Sequence, residues 1–148
     1  MDKIKFLQDA LSESSQVKLK IIDECRYSII EAADKMTESL RRKGKILLCG
    51  NGGSAADCQH IAAEFMIRLS HHINRPAIPA IALTTDTSNL TAGGNDIGFE
   101  NVFARNVEGL GNEGDILIAI STSGNSPNII KAVEKAKEKK MTVVGFLG

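Results

Sequence analysis

The chain has 148 residues, enough for one domain with a sizeable core. Its 43% hydrophobic and 24% charged content is that of an ordinary water-soluble globular protein. Eighteen basic and eighteen acidic residues cancel, so the sequence gives no electrostatic reason to expect nucleic acid or an anionic membrane as a partner.

Residues Ile4 to Lys43 contain no proline or glycine, and Leu7, Leu11, Ile21, Ile22, Cys25, Ile29, Ala33, Met36 and Leu40 recur at helical spacing. This predicts one long helix, or a pair broken near Ser12 to Ser15, stopped by Gly44 after the basic run Arg41, Arg42 and Lys43. So much helix ahead of any strand needs a surface to bury against, either its own domain or another copy of the chain. Residues 1–43 are read as an N-terminal helical oligomerisation region, mostly on the family resemblance that the later motifs carry, and 44–148 as an α/β core, within a single domain 1–148.

From Lys45 the pattern changes. KILLCG, Ala77 to Leu83, Asp115 to Ser121 and Thr142 to Leu147 are short apolar runs without alternation, as expected of parallel strands covered on both faces. Helix-compatible stretches lie between them: Ser54 to Ser70, roughly Phe99 to Leu110, and Pro127 to Lys139. The alternation predicts a doubly wound, open parallel α/β sheet, with ligands at the edge formed by the strands' C-terminal ends.

Three segments are expected at that edge. The first, Gly50 to Ser54, is a glycine-rich turn, with Ser54 placed to cap the following helix, whose N-terminus attracts anions. Gly50, Gly52 and Ala55 satisfy a dinucleotide-binding spacing, but no acid stands about 20 residues on, where a ribose needs one. The second, Ser121 to Asn128, gathers Ser121, Thr122, Ser123 and Ser126 around one glycine, with Ser126 as N-cap and Pro127 as first helical residue. Hydroxyl donors beside a helix N-terminus suit a phosphate monoester on a small metabolite. The third, Thr91 to Glu100, is read as a glycine-flanked loop whose Asn95 and Asp96 either bond substrate hydroxyls or close an Asx-turn.

On the helix after Ser54, Asp57, His60 and Glu64 share a face, off the apolar stripe of Ile61, Phe65 and Leu69. Spacing alone favours a surface ion pair for His60 and Glu64. The alternatives are proton transfer between adjacent carbons of a sugar phosphate by the carboxylate, or two ligands of a divalent metal. Three cysteines, Cys25, Cys49 and Cys58, without zinc-ribbon spacing or a secretory signal, read as reduced thiols of a cytoplasmic protein; no apolar run reaches membrane-spanning length.

Taken together, CGNGGSAADCQHIAAEF, the segment from Gly94 to Met141 and the long helical N-terminus resemble the phosphoheptose isomerases of the sugar isomerase (SIS) family. The resemblance implies conversion of sedoheptulose 7-phosphate to D-glycero-D-manno-heptose 7-phosphate, for bacterial lipopolysaccharide, capsule or glycoprotein heptose. It implies Asn51, Gly52 and Gly53 as substrate contacts, Asn95 and Asp96 on the sugar, and Ser121, Thr122, Ser123 and Ser126 on the phosphate. It also implies Glu64 as catalytic carboxylate, with His60 and Glu64 as two zinc ligands, and homotetramers with active sites between subunits. The family pattern continues beyond Gly148 with a strand and a helix bearing a glutamine and a histidine that complete the metal site and the acid/base pair. A chain ending at Gly148 is expected to show weak or no isomerase activity. The alternative is a non-catalytic SIS protein, either a replication-initiator-binding factor or a sugar-phosphate sensor; Glu64 favours the enzyme.

Overall fold

The computed structural model describes residues 2–148. The chain forms two compact units, one up to Lys35 and one from Met36 to Gly148. Helix α1, Lys3–Glu24, is capped by the Asp2 carboxylate, which accepts from the Ile4 and Lys5 amides at 3.0 and 3.3 Å. The expected break at Ser12 to Ser15 is absent. Serine inside a helix costs only about half a kcal/mol relative to alanine, too little to stop one. The interruption falls at Cys25, after which α2 runs Arg26–Arg41. No residue of α1 is buried, and Ile4, Leu7, Leu11 and Ile22 are all more than half exposed.

The division between units also differs from the expected boundary at Gly44. Met36 and Leu40 of α2 already pack on the core of the second unit. The chain turns at Lys43, which itself takes φ 65°, while Gly44 is needed for space: a Cβ there would strike the Ser39 hydroxyl.

The second unit carries a four-stranded, all-parallel sheet in the order β2-β1-β3-β4: β1 Ile46–Gly50, β2 Ala80–Ala82, β3 Ile116–Ser121 and β4 Thr142–Leu147. Strand β2 is shorter than the predicted run because Pro76 and Pro79 precede it, and it lies at an edge with Ile81 part-exposed. Central β1 is buried throughout. Its side chains alternate between two cores. Ile46 and Leu48 pack with Cys58 and Ala62 of α3 (Gly53–Met66). Leu47 and Cys49 pack with Phe103 and Val107 of α5 (Phe99–Leu110) and Ile129, Ala132 and Ala136 of α6 (Pro127–Glu138). Helices thus cover both faces, as the unbroken apolar strands require. At the N-terminal ends of the central strands, buried Asp115 accepts from the Lys45 amide at 2.9 Å and the Lys45 ammonium at 2.5 Å, tying β1 to β3.

A further helix, α4 (Thr87–Asp96), occupies much of what reads as a loop. The Asp86 side chain caps it through the Asn89 amide at 3.0 Å. Gly93 lies in this helix because α4 presses on α5: a Cβ there would stand 2.9 Å from Val102 Cγ2. Among the described residues no helix is long and apolar enough to cross a membrane.

Candidate active site

The strand order reverses direction between β1 and β3: β1 leads into α3 on one face, and β3 leads into α6 on the other. Open α/β sheets bind ligands in the crevice at such a switch point. The glycine turn and the hydroxyl loop are the two lips of that crevice. A small hollow of about 40 Å³ opens there, lined by Asn51, Ser54, Ile120, Ser121, Thr122 and Ser126. This is room for roughly three waters or one tetrahedral oxyanion.

On the β1 side the turn is set by glycine. A Cβ on Gly50 would sit 2.7 Å from the Ser54 carbonyl oxygen, so only glycine lets α3 begin so close behind the strand. Gly52 adopts φ 55° and ψ −120° as the helix N-cap, a conformation side chains avoid. Nothing stands within 4 Å of a Cβ built on Gly52 or Gly53, leaving their backbone open to a ligand. Ser54 is inside the helix and is not its cap, since the chain makes the turn one residue earlier than the serine pattern implies.

On the β3 side, Ser126 is the α6 N-cap by backbone position, as expected, but its hydroxyl makes no capping bond. It turns to Ser121, with the two oxygens 3.3 Å apart. The Ser123 hydroxyl accepts from the Asn125 amide at 3.2 Å and shapes the loop from within. Four of the expected contacts, Asn51, Ser121, Thr122 and Ser126, therefore share one hollow, with Gly52 and Gly53 on the adjoining turn.

Asn95 and Asp96 are not in a loop. They end α4, with the Asn95 amide donating to the Asp96 carboxylate at 2.7 Å, and they line neither this hollow nor the one described next.

His60 and Glu64 line a different hollow, of about 510 Å³, walled by Ile61, Phe65, Ile73 and Arg75. Within one chain neither residue lines the hollow beside the hydroxyl loop. Glu64 lies ten residues along α3 from Ser54, about 15 Å of helix axis, and the two hollows share no lining residue. His60 Nε2 is 3.5 Å from Glu64 Oε1, and His60 is largely exposed. Glu64 Oε2 is buried without a hydrogen-bond partner. An orphaned carboxylate oxygen is costly unless something binds it.

Arg75, which the sequence reading passed over, fixes this end of α3. Its guanidinium donates to the Glu64 carbonyl at 2.6 Å and to the Phe65 and Pro76 carbonyls at 2.8 and 3.0 Å. A cation on the last carbonyls also suits the helix dipole. The sequence offers only an arginine shortly after a helix as its signal.

The His60 imidazole and the orphaned Glu64 oxygen are chemically suited to two corners of a zinc site, but a firm site needs at least three protein ligands. Among the described residues no group of three or more His, Cys, Asp or Glu side chains is placed to hold a metal. The cysteines are no substitute. Burial pushes the Cys49 thiol up to about 12, with Cys58 beside it adding to the effect; burial first and the Asp57 charge second push Cys58 up to about 11. Both stay protonated and poor as ligands at neutral pH.

Residues 11–148 match the SIS domain family model. A phosphoheptose isomerase of Burkholderia pseudomallei strain K96243 is 49% identical over 148 residues, covering 99% of this chain and 74% of that protein. One from Chlorobaculum parvum is 55% identical over 120 residues, 81% of this chain and 57% of that protein. Among solved structures, a phosphoheptose isomerase from Francisella tularensis superposes with a TM-score of 0.93 at 39% identity, covering all of this chain and 76% of that one. The phosphoheptose isomerase from Neisseria gonorrhoeae gives 0.88 at 45% identity, over 97% and 74%.

Proposed function

The chain belongs to the SIS family and, within it, to the phosphoheptose isomerases, and on that footing we propose that it interconverts sedoheptulose 7-phosphate and D-glycero-D-manno-heptose 7-phosphate. The observation that carries this reading is the hydroxyl-lined hollow at the sheet's switch point, at the open N-terminus of α6, in a chain of this family. The phosphate would sit among Ser121, Thr122, Ser123 and Ser126 against the turn of Asn51, Gly52 and Gly53. The helix dipoles and hydroxyl donors hold a dianion there without lysine or arginine.

Isomerisation moves one proton between adjacent carbons. A base removes a proton from C1 of the ketose, an enediol forms as O2 gains a proton, and the base returns its proton to C2 while O1 loses one. Glu64 is the carboxylate we assign to the carbon-bound proton, and its unpartnered Oε2 is the oxygen available for it. The separation of the two hollows within one chain supports a site shared between copies, Glu64 of one chain meeting the hydroxyl loop of another. The exposed apolar face of α1, with Ile4, Leu7, Leu11 and Ile22, supplies a surface for that assembly, which we read as a homotetramer. Asn95 and Asp96 would reach the sugar in the same shared site. Zinc, if bound, would be held by His60 and Glu64 with ligands from a further segment, and would polarise the substrate's oxygens. Formation of lipopolysaccharide or capsule heptose in the cytoplasm is the setting this chemistry fits.

Incubation with sedoheptulose 7-phosphate and detection of the aldose phosphate tests the reading. Aldose accumulating toward a fixed ketose-to-aldose ratio, even slowly and at high enzyme concentration, is the expected result. Phosphate-dependent binding with no aldose at any enzyme concentration would return the protein to a sensing or scaffolding role.

A further inference from the structure

Across the switch-point crevice, the side-chain amides of Asn51 and Asn128 bond to each other in both directions. Asn51 Nδ2 donates to Asn128 Oδ1 at 2.9 Å, and Asn128 Nδ2 donates to Asn51 Oδ1 at 2.8 Å. The partners are 77 residues apart in sequence. One sits on the turn after β1 and the other in the first turn of α6, and Asn128 is only 3% exposed. This pair is the direct side-chain link between the two lips of the hollow, and Asn51 also lines that hollow. Each amide spends one donor and one acceptor on the other, so half of Asn51's hydrogen-bonding capacity is committed before any ligand arrives.

We propose that Asn128 is a positioning residue for phosphate binding: with Asn51 it forms a clamp that holds the glycine turn and the hydroxyl loop at the spacing a phosphate monoester requires. The inference rests on the reading of this hollow as the phosphate site. Asn128 is buried behind the loop and lines no part of the hollow, so it acts through Asn51 and the start of α6. The Ser126 hydroxyl makes no capping bond, so the amide clamp takes over the task of fixing how α6 begins. A reciprocal amide pair resists both opening and sliding, because either motion breaks two part-buried bonds together.

The test is the affinity for inorganic phosphate, measured by calorimetry on the wild type and on Asn128→Asp, Asn128→Ala and Asn51→Ala. An aspartate at 128 still accepts from Asn51 Nδ2 but sets a carboxylate oxygen against Asn51 Oδ1. Once protonated, its O–H donates there and restores both bonds. Near neutral pH, Asn128→Asp is expected to bind phosphate about tenfold more weakly than wild type, the cost of a buried bond lost. That ratio should close to within about twofold as pH falls below the carboxyl range near 4. Asn128→Ala, which adds no charge, should weaken binding at every pH, and so should Asn51→Ala, which leaves the buried position intact should changes at 128 prevent folding. Wild-type affinity in folded Asn128→Ala and in Asn51→Ala, with an Asn128→Asp deficit that vanishes at low pH, would show charge repulsion only and overturn the clamp. Failure of the wild type to bind phosphate at all would instead overturn the reading of the hollow, and the clamp with it.

Discussion

Glu64 is the carboxylate we propose for the proton transfer. Changing it to glutamine keeps size and packing but removes the proton acceptor. Glu64→Gln should lower kcat by about a thousandfold while leaving the affinity for inorganic phosphate within twofold, because the hollow at the sheet edge does not include it. Equal turnover in that variant would remove Glu64 from the mechanism. The two buried thiols make a separate residue-scale statement. Both have folded-state values above the ordinary 9.0, so the native state holds their protons more tightly than the unfolded chain does. Their contribution is complete below about 9 and is lost as pH climbs toward about 11 and about 12. Urea midpoints taken from neutral pH upward should fall through that window, and less steeply in Cys49→Ala.

At the scale of elements, the hydroxyl loop was legible because Thr122 to Ser126 follows an apolar strand and precedes Pro127, and a strand-loop-helix unit places its loop without further information. Helix α4 was not, because glycine has two uses. Gly93 and Gly94 read as a loop, yet Gly93 serves the approach of α4 to Val102 of α5, a contact sequence spacing cannot reveal. Arg75 escaped notice for a similar reason: two of its partners are helix-end carbonyls ten and eleven residues earlier, and no side-chain pattern marks them. The Asn51–Asn128 pair joins segments 77 residues apart and only topology brings them together. The glycine turn gives the sharpest element-scale prediction. In Gly50→Ala the new Cβ meets the Ser54 carbonyl, backbone that cannot swing aside, so stability should drop by about 2 kcal/mol and phosphate affinity should fall with it. Denaturant unfolding and phosphate titration on the same sample check both; wild-type values in both would show that α3 shifts freely at its start.

For the whole molecule, the doubly wound sheet follows from its sequence pattern: apolar runs without alternation require cover on both faces, and the strand order then fixes the crevice. What the sequence could not reveal is that His60 and Glu64 line a different hollow from the hydroxyl loop. His60 and Glu64 fall on the helix that starts at the glycine turn, which invites a single-chain site, but about two helical turns carry His60 and about three carry Glu64 away from it. The exposed apolar face of α1 and the orphaned Glu64 oxygen are the two observations that support our proposal of a site finished by association.

Mixing two inactive variants measures this directly. Ser121→Ala damages the hydroxyl loop and Glu64→Gln removes the carboxylate; each is purified alone, then the two are combined under conditions that let subunits exchange. If the loop of one copy works with the carboxylate of another, isomerisation of sedoheptulose 7-phosphate should return to as much as about a quarter of the wild-type rate, since one in four shared sites then carries both intact halves. Subunit exchange verified by mass with no recovery of turnover would contradict the account and confine the chemistry to a single chain.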